Sequence, residues 1–150
     1  VLKEYQKRTV DTVREFLEAL AELRAKDAKA RAIDPDLGGD WVRKAWEKLD
    51  PPRAGFVPRK NGLGEPLPSF CLKIPTGGGK TLLATKVVDL VNTHYRKQQH
   101  GLVLWIVPST QIYNQTLRAL KDRDHPYRQT LDLASAGRTL ILEKTSGFSP

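Results

Sequence analysis

Methionine is absent from these 150 residues, cysteine occurs once and histidine three times. A single thiol closes no internal disulfide. Cys71 lies inside an apolar run and is expected as a small buried hydrophobe rather than a reactive thiol. His94, His100 and His125 lack metal-ligand spacing, and no second cysteine is available to them. A metal site built from side chains alone is therefore not expected. No apolar run is long enough to cross a bilayer, which argues against a membrane partner. No basic start followed by an apolar stretch marks a secretory signal. These absences predict a cytoplasmic protein. Without an opening methionine, the chain is expected to be an internal piece of a longer protein. Acidic residues are also in deficit, 17 against 25 Lys and Arg, for a net charge of +8. That balance suits a polyanion such as nucleic acid or nucleotide. The cations are scattered, however, with no block of five or six, so the charge favours nucleic acid only weakly over solvated helix faces.

The length fits one domain with a real core. Leu2 to about Lys29 reads as one long helix, because Val10, Val13, Phe16, Leu17, Leu20 and Leu23 recur at three- and four-residue spacing. Residues 30 to 68 then hold six of the ten prolines (Pro35, Pro51, Pro52, Pro58, Pro66, Pro68) and read as a loop-rich insertion. Within it Asp40 can cap a short helix from Trp41 to Leu49. Trp41 and Trp46 are expected to pin the insertion to the body rather than to stack on bases. Beyond it, Ser69–Ile74, Leu102–Val107 and Thr139–Glu143 are apolar runs that read as strands. Helices are expected from Lys80 to about Arg96, from Ser109 to about Lys121 with Ile112, Thr116, Leu117 and Leu120 inward, and from Pro126 to a stop at Gly137. This alternation predicts an α/β fold, a parallel sheet flanked by helices.

Between the first predicted strand and the helix after it runs Pro75-Thr76-Gly77-Gly78-Gly79-Lys80-Thr81. Glycines let a backbone turn tightly and bring successive N–H groups close to phosphate oxygens. The following helix N-terminus adds its positive dipole end. Lys80 can reach the outer phosphates as a point charge. The Thr81 hydroxyl can hold a Mg²⁺ bridging those phosphates. The strict phosphate-loop pattern opens on a glycine where this chain has Ile74. Binding of a nucleoside triphosphate, with ATP foremost, is the expectation.

The stretch Pro75–Thr81 resembles motif I of superfamily 2 helicases and translocases. Leu2-Lys3-Glu4-Tyr5-Gln6 is similar to the upstream segment in which that superfamily meets adenine. The resemblance implies that Gln6 selects ATP, with Tyr5 packed nearby; a Gln amide can pair with adenine N6 and N7. Val107-Pro108-Ser109-Thr110-Gln111-Ile112-Tyr113-Asn114-Gln115 resembles motif Ia, which implies that Pro108, Ser109 and Thr110 touch a nucleic-acid backbone. His125-Pro126-Tyr127-Arg128-Gln129-Thr130-Leu131, then Gly137-Arg138 and Leu142-Glu143-Lys144-Thr145, look like the helicase subunit of type III restriction enzymes. The implied fold is the first part of a RecA-like motor domain. The implied activity is ATP hydrolysis driving translocation on, or unwinding of, DNA, with RNA a possible track. Partners would be a second RecA-like domain of the parent and a modification subunit.

The superfamily's acidic Asp-Glu box has no counterpart here, since no Asp-Glu pair occurs anywhere. Its arginine finger, on the second domain, is missing as well, and such a finger contributes ~10³–10⁵ in rate. These 150 residues alone are therefore expected to bind nucleotide weakly, to hydrolyse it barely and to leave a sheet edge prone to aggregation. Two other readings stay open. One is a phosphate-loop NTPase or kinase that ignores nucleic acid, and the other a non-catalytic nucleotide-binding module.

Overall fold

A computed structural model describes residues 2–143 of the chain. Helix α1 runs over Glu4–Ile33 and buries Val13, Phe16, Leu17 and Leu20. These positions are the middle of the predicted apolar stripe, and Val10 and Leu23 pack at its margins. A short 3₁₀ turn over Pro35–Leu37 follows. Helix α2 covers Trp41–Glu47 and starts where Asp40 accepts the Arg43 N–H. Its Trp41, Val42 and Ala45 are buried against α1. Trp46 meets Phe16 edge-on at 5.7 Å. Its indole N–H donates to the Arg53 carbonyl at 2.8 Å, which fastens the loop behind α2 to the same core. Burying side chains of this size contributes roughly 1.5–3 kcal/mol each, so this cluster carries the first half of the molecule.

Helix α3 spans Lys80–Leu90 and continues through a wider π turn, Val91–Arg96, to a left-handed Lys97. It packs on α1 and on α5. Helix α4, Thr110–Lys121, is capped by Ser109, and helix α5, Pro126–Ala134, by His125, whose Nδ1 accepts the Tyr127 N–H at 3.2 Å. The two are tied by Arg128, which is buried. Its guanidinium donates to Leu120 O at 3.1 Å, Thr139 O at 2.8 Å and Asp132 Oδ1 at 2.9 Å. A buried cation needs such satisfaction, and the Leu120 bond closes an orphan carbonyl of the last turn of α4.

The parallel sheet flanked by helices is overturned. Among the described residues the chain is helical, and the one β-pairing is an isolated antiparallel bridge between Lys60 and Pro66. Residues 69–74, 102–107 and 139–143 carry no regular structure. The physical reason is that a strand exists only when a neighbour takes its backbone groups, and none of the three runs pairs with another. In the first run Phe70 and Leu72 pack on the helical core instead of on a sheet, while the other two runs turn most of their apolar side chains outward, with Leu102 88% and Leu140 76% exposed. The turn at Pro75–Thr81 thus has its helix but not its preceding strand. For the same reason Cys71, in the unpaired run, is exposed rather than buried. Ile112 is 41% exposed, so α4 turns only Thr116 and Leu120 fully inward. Lys144, Thr145 and the loop read from Thr145 to Pro150 lie outside the described residues.

Candidate phosphate-binding site

The glycine run folds into a tight turn at the N-terminus of α3. The Gly78 N–H donates to Pro75 O at 3.0 Å and closes it. Gly79 sits at φ +80°, the left-handed region that glycine enters without penalty, and forms the N-cap of α3. Gly78 is required for a different reason, since a Cβ there would lie 2.6 Å from Ile74 Cγ2 and 2.8 Å from Pro75 O.

Two side chains from the first turn of α1 hold this loop across more than seventy residues of sequence. The Gly78 carbonyl accepts the Tyr5 hydroxyl at 3.0 Å and the Gln6 Nε2 at 2.9 Å. In a trans peptide the carbonyl and the next N–H point in opposite directions. Holding Gly78 O toward α1 therefore turns the Gly79 N–H away from it. Gln6 is buried, and its Oε1 accepts the Lys3 N–H at 2.8 Å. Both ends of the amide are engaged, while one Nε2 hydrogen and one Oε1 lone pair remain.

The first turn of α3 leaves the N–H groups of Lys80, Thr81 and Leu82 without a backbone acceptor, because the helical bonds begin with Leu83 N–H to Gly79 O at 2.9 Å. These donors and the dipole end make the turn receptive to an anion. Lys80 is exposed and folds back so that Nζ donates to Pro75 O at 3.0 Å. Thr76 and Gly77 lie exposed on the rim. Thr81 is half-buried, and its hydroxyl has no hydrogen bond among the described residues. No group of three or more His, Cys, Asp or Glu that could hold a metal occurs among the described residues. A Mg²⁺ here would depend on Thr81 and on the ligand's phosphates, the mode that this cation favours. The donor set fits both groups.

Pro108, Ser109 and Thr110 form a separate, exposed turn. Ser109 Oγ accepts the Ile112 N–H at 3.3 Å and caps α4. No hydrogen bond or ion pair joins this turn to the glycine turn among the described residues. Farther along α4, the Tyr113 hydroxyl donates to Glu143 Oε2 at 2.9 Å, and Lys121 reaches the same carboxylate. Lys121 first, then Tyr113, hold Glu143 below the usual carboxylate range, and the Glu143 hydrogen bond in turn pushes the Tyr113 hydroxyl up.

Sequence reasoning missed two features. One is the Tyr5 hydroxyl as a tie to the loop, which no local signal reveals. The other is Arg128 as a buried knot; its one signal was Asp132 at i+4 on the same helix.

Together the geometry defines a class first, a helical chain with a glycine turn that offers converging backbone donors, a lysine and a threonine at one helix N-terminus. The family is then settled by comparison: the model of the type III restriction enzyme res subunit matches residues 1–146, and the chain belongs to that family. No curated protein and no solved structure matches. No helix among the described residues is long and apolar enough to cross a membrane.

Proposed function

We propose that the chain binds Mg·ATP at the glycine turn and belongs to a motor that hydrolyses ATP to move along or unwind DNA. The observation that carries this reading is the paired hydrogen bond from Tyr5 and Gln6 to Gly78 O, at 3.0 and 2.9 Å. An ordinary glycine turn has no need of a buried amide reaching across 72 residues to orient one of its peptides. Membership of the res-subunit family supports the same assignment.

In this reading the Gly79, Lys80 and Thr81 N–H groups bind phosphate oxygens. Lys80 would leave Pro75 O for the outer phosphates, Thr76 and Gly77 would line the approach, and Thr81 would hold the metal through its hydroxyl oxygen. When bound, Mg²⁺ would supply charge neutralisation to the phosphates. Tyr5 and Gln6 hold the turn, and the free half of the Gln6 amide faces adenine. Pro108, Ser109 and Thr110 contact the backbone of DNA, or of RNA. A second RecA-like domain in the same parent supplies the missing catalytic groups, and a modification subunit is the expected larger partner. The setting is the cytoplasm.

Binding of Mg·ATP by the chain and by Lys80→Ala, followed by ATP turnover with and without duplex DNA, tests this. We expect micromolar to millimolar affinity lost at least tenfold in Lys80→Ala, about 1.4 kcal/mol or more. Turnover in the intact parent should rise with DNA and vanish in the variant. Absence of Lys80-dependent binding overturns the site. Lys80-dependent turnover indifferent to nucleic acid leaves a phosphate-loop NTPase of another kind.

A further inference from the structure

A cavity of about 500 Å³ opens between α1, the segment behind α2 and the unpaired run before the glycine turn. Its wall includes three cations, Arg8, Arg53 and Lys73, and no carboxylate. The cations come from three separate stretches of chain. None makes an ion pair among the described residues, although Lys7, Arg14 and Lys26 of α1 and Arg43 of α2 are each paired with an acid. Tyr5, Trp46 and Phe70, each half-buried, present ring surface to the same space.

Three unneutralised cations around one cavity call for phosphates, and ring surfaces call for flat apolar groups. A nucleotide on the glycine turn places its phosphates on Gly79–Thr81, and none of those residues lines this cavity. The charge here is thus left for another ligand. A single nucleic-acid strand offers the needed chemistry as a repeat, a base joined to a phosphate, and strand-binding grooves combine cations with aromatic platforms in this way. Arg also stacks on bases through its planar guanidinium. Paired bases expose only their edges, which excludes a duplex from ring stacking.

We infer that this cavity, which adjoins the glycine turn through Tyr5 but uses none of its N–H donors, is a binding site for an unpaired nucleic-acid strand, to which the proline-rich insertion contributes Trp46 and Arg53. The inference does not depend on ATP binding.

The test is fluorescence anisotropy of a labelled oligothymidine on the full chain without nucleotide. Arg8→Ala/Arg53→Ala/Lys73→Ala should weaken binding at least tenfold and lower the salt slope by about 2. Lys7→Ala/Lys26→Ala/Lys29→Ala, which removes the same charge elsewhere on α1, should change binding less than about twofold, since only non-specific attraction is lost. The oligonucleotide should also quench tryptophan emission of the unsubstituted chain, and Trp46→Phe should remove that quenching, which keeps the inference testable if the triple variant misfolds. Equal losses in the two triples, or no quenching from Trp46, overturn it. So does displacement of the strand by saturating Mg·ATP that disappears in Lys80→Ala, because the cavity would then be the base end of the nucleotide site.

Discussion

Two turns in this chain open a helix toward solvent, and they are built differently. The glycine turn before α3 is closed by its own backbone bond and then gripped from α1 by Tyr5 and Gln6, 73 and 72 residues away. Among the described residues the turn before α4 has only a local cap, with Ser109 Oγ accepting the Ile112 N–H at 3.3 Å. A local cap serves the helix that carries it, whatever else the turn touches. A distant grip fixes a peptide plane that the helix itself does not need fixed. The contrast leaves the first turn held in shape from outside its own helix and the second held by a cap of its own.

Gly79→Ala should break the comparison hardest. An alanine at φ +80° is strained by roughly 1–2 kcal/mol. Its Cβ would also sit 2.7 Å from Gln6 Nε2 and push the buried amide off Gly78, which costs about 1–3 kcal/mol. Together about 3 kcal/mol is expected, on the order of 100-fold in ATP affinity by calorimetry. Unchanged affinity would show that the turn holds no phosphate. Gln6→Ala removes one of two bonds to Gly78 O and should weaken ATP about tenfold, roughly the net value of a buried hydrogen bond. Tyr5→Phe should do less, because the Gln6 bond remains. Equal affinities for Gln6→Ala and wild type would reduce the grip to packing.

The contrast also marks how far the sequence could be read. The stripe of α1, the caps at Asp40 and Ser109 and the passage from glycine turn into α3 all follow from local spacing, and all are present. The caps at Asp40 and Ser109 each close on an N–H three residues on. The sheet was not readable, because an apolar run specifies that it should be covered, not by what. Leu102 and Leu104 fit a strand by composition and stand 88% and 82% exposed. Cys71 and Ile112 went wrong for the same reason. The tie from Tyr5 and the cations around the cavity join stretches far apart in sequence, which periodicity does not reach. Arg128 resembled any surface arginine until three chain segments closed on it.

Ser109→Ala sharpens the comparison from the other side. It should cost about 1 kcal/mol of stability in a urea melt. ATP affinity should not change, since no bond links the turns. A parallel loss of ATP affinity would mean that the two helix starts are coupled.

The smallest effect concerns acid. Asp132 accepts Arg128 Nε at 2.9 Å, and through Arg128 it supports the Leu120 carbonyl in the last turn of α4. Burial alone would raise its pKa, but hydrogen bonds from Thr139 and Arg128 and the charges of Arg128 and Arg123 outweigh that and hold it below the ordinary 3.8. A depressed carboxylate contributes stability that is present above its unfolded pKa and is lost as pH falls through the folded one. The pair joins a buried guanidinium to a partly exposed carboxylate within one helix, and its contribution is about 1 kcal/mol. Asp132→Asn should therefore be less stable than wild type near neutral pH, with the gap closing as the buffer is taken below the carboxylate range. Among the described residues no carboxylate grips the glycine turn, where the contacts are a phenol, an amide and a carbonyl. The helix at α4 should thus loosen first in acid while the loop beside α1 keeps its form. A gap between Asp132→Asn and wild type that stayed constant down the pH scale would show that the carboxylate contributes shape rather than charge, and would leave Arg128 held by its two carbonyls alone.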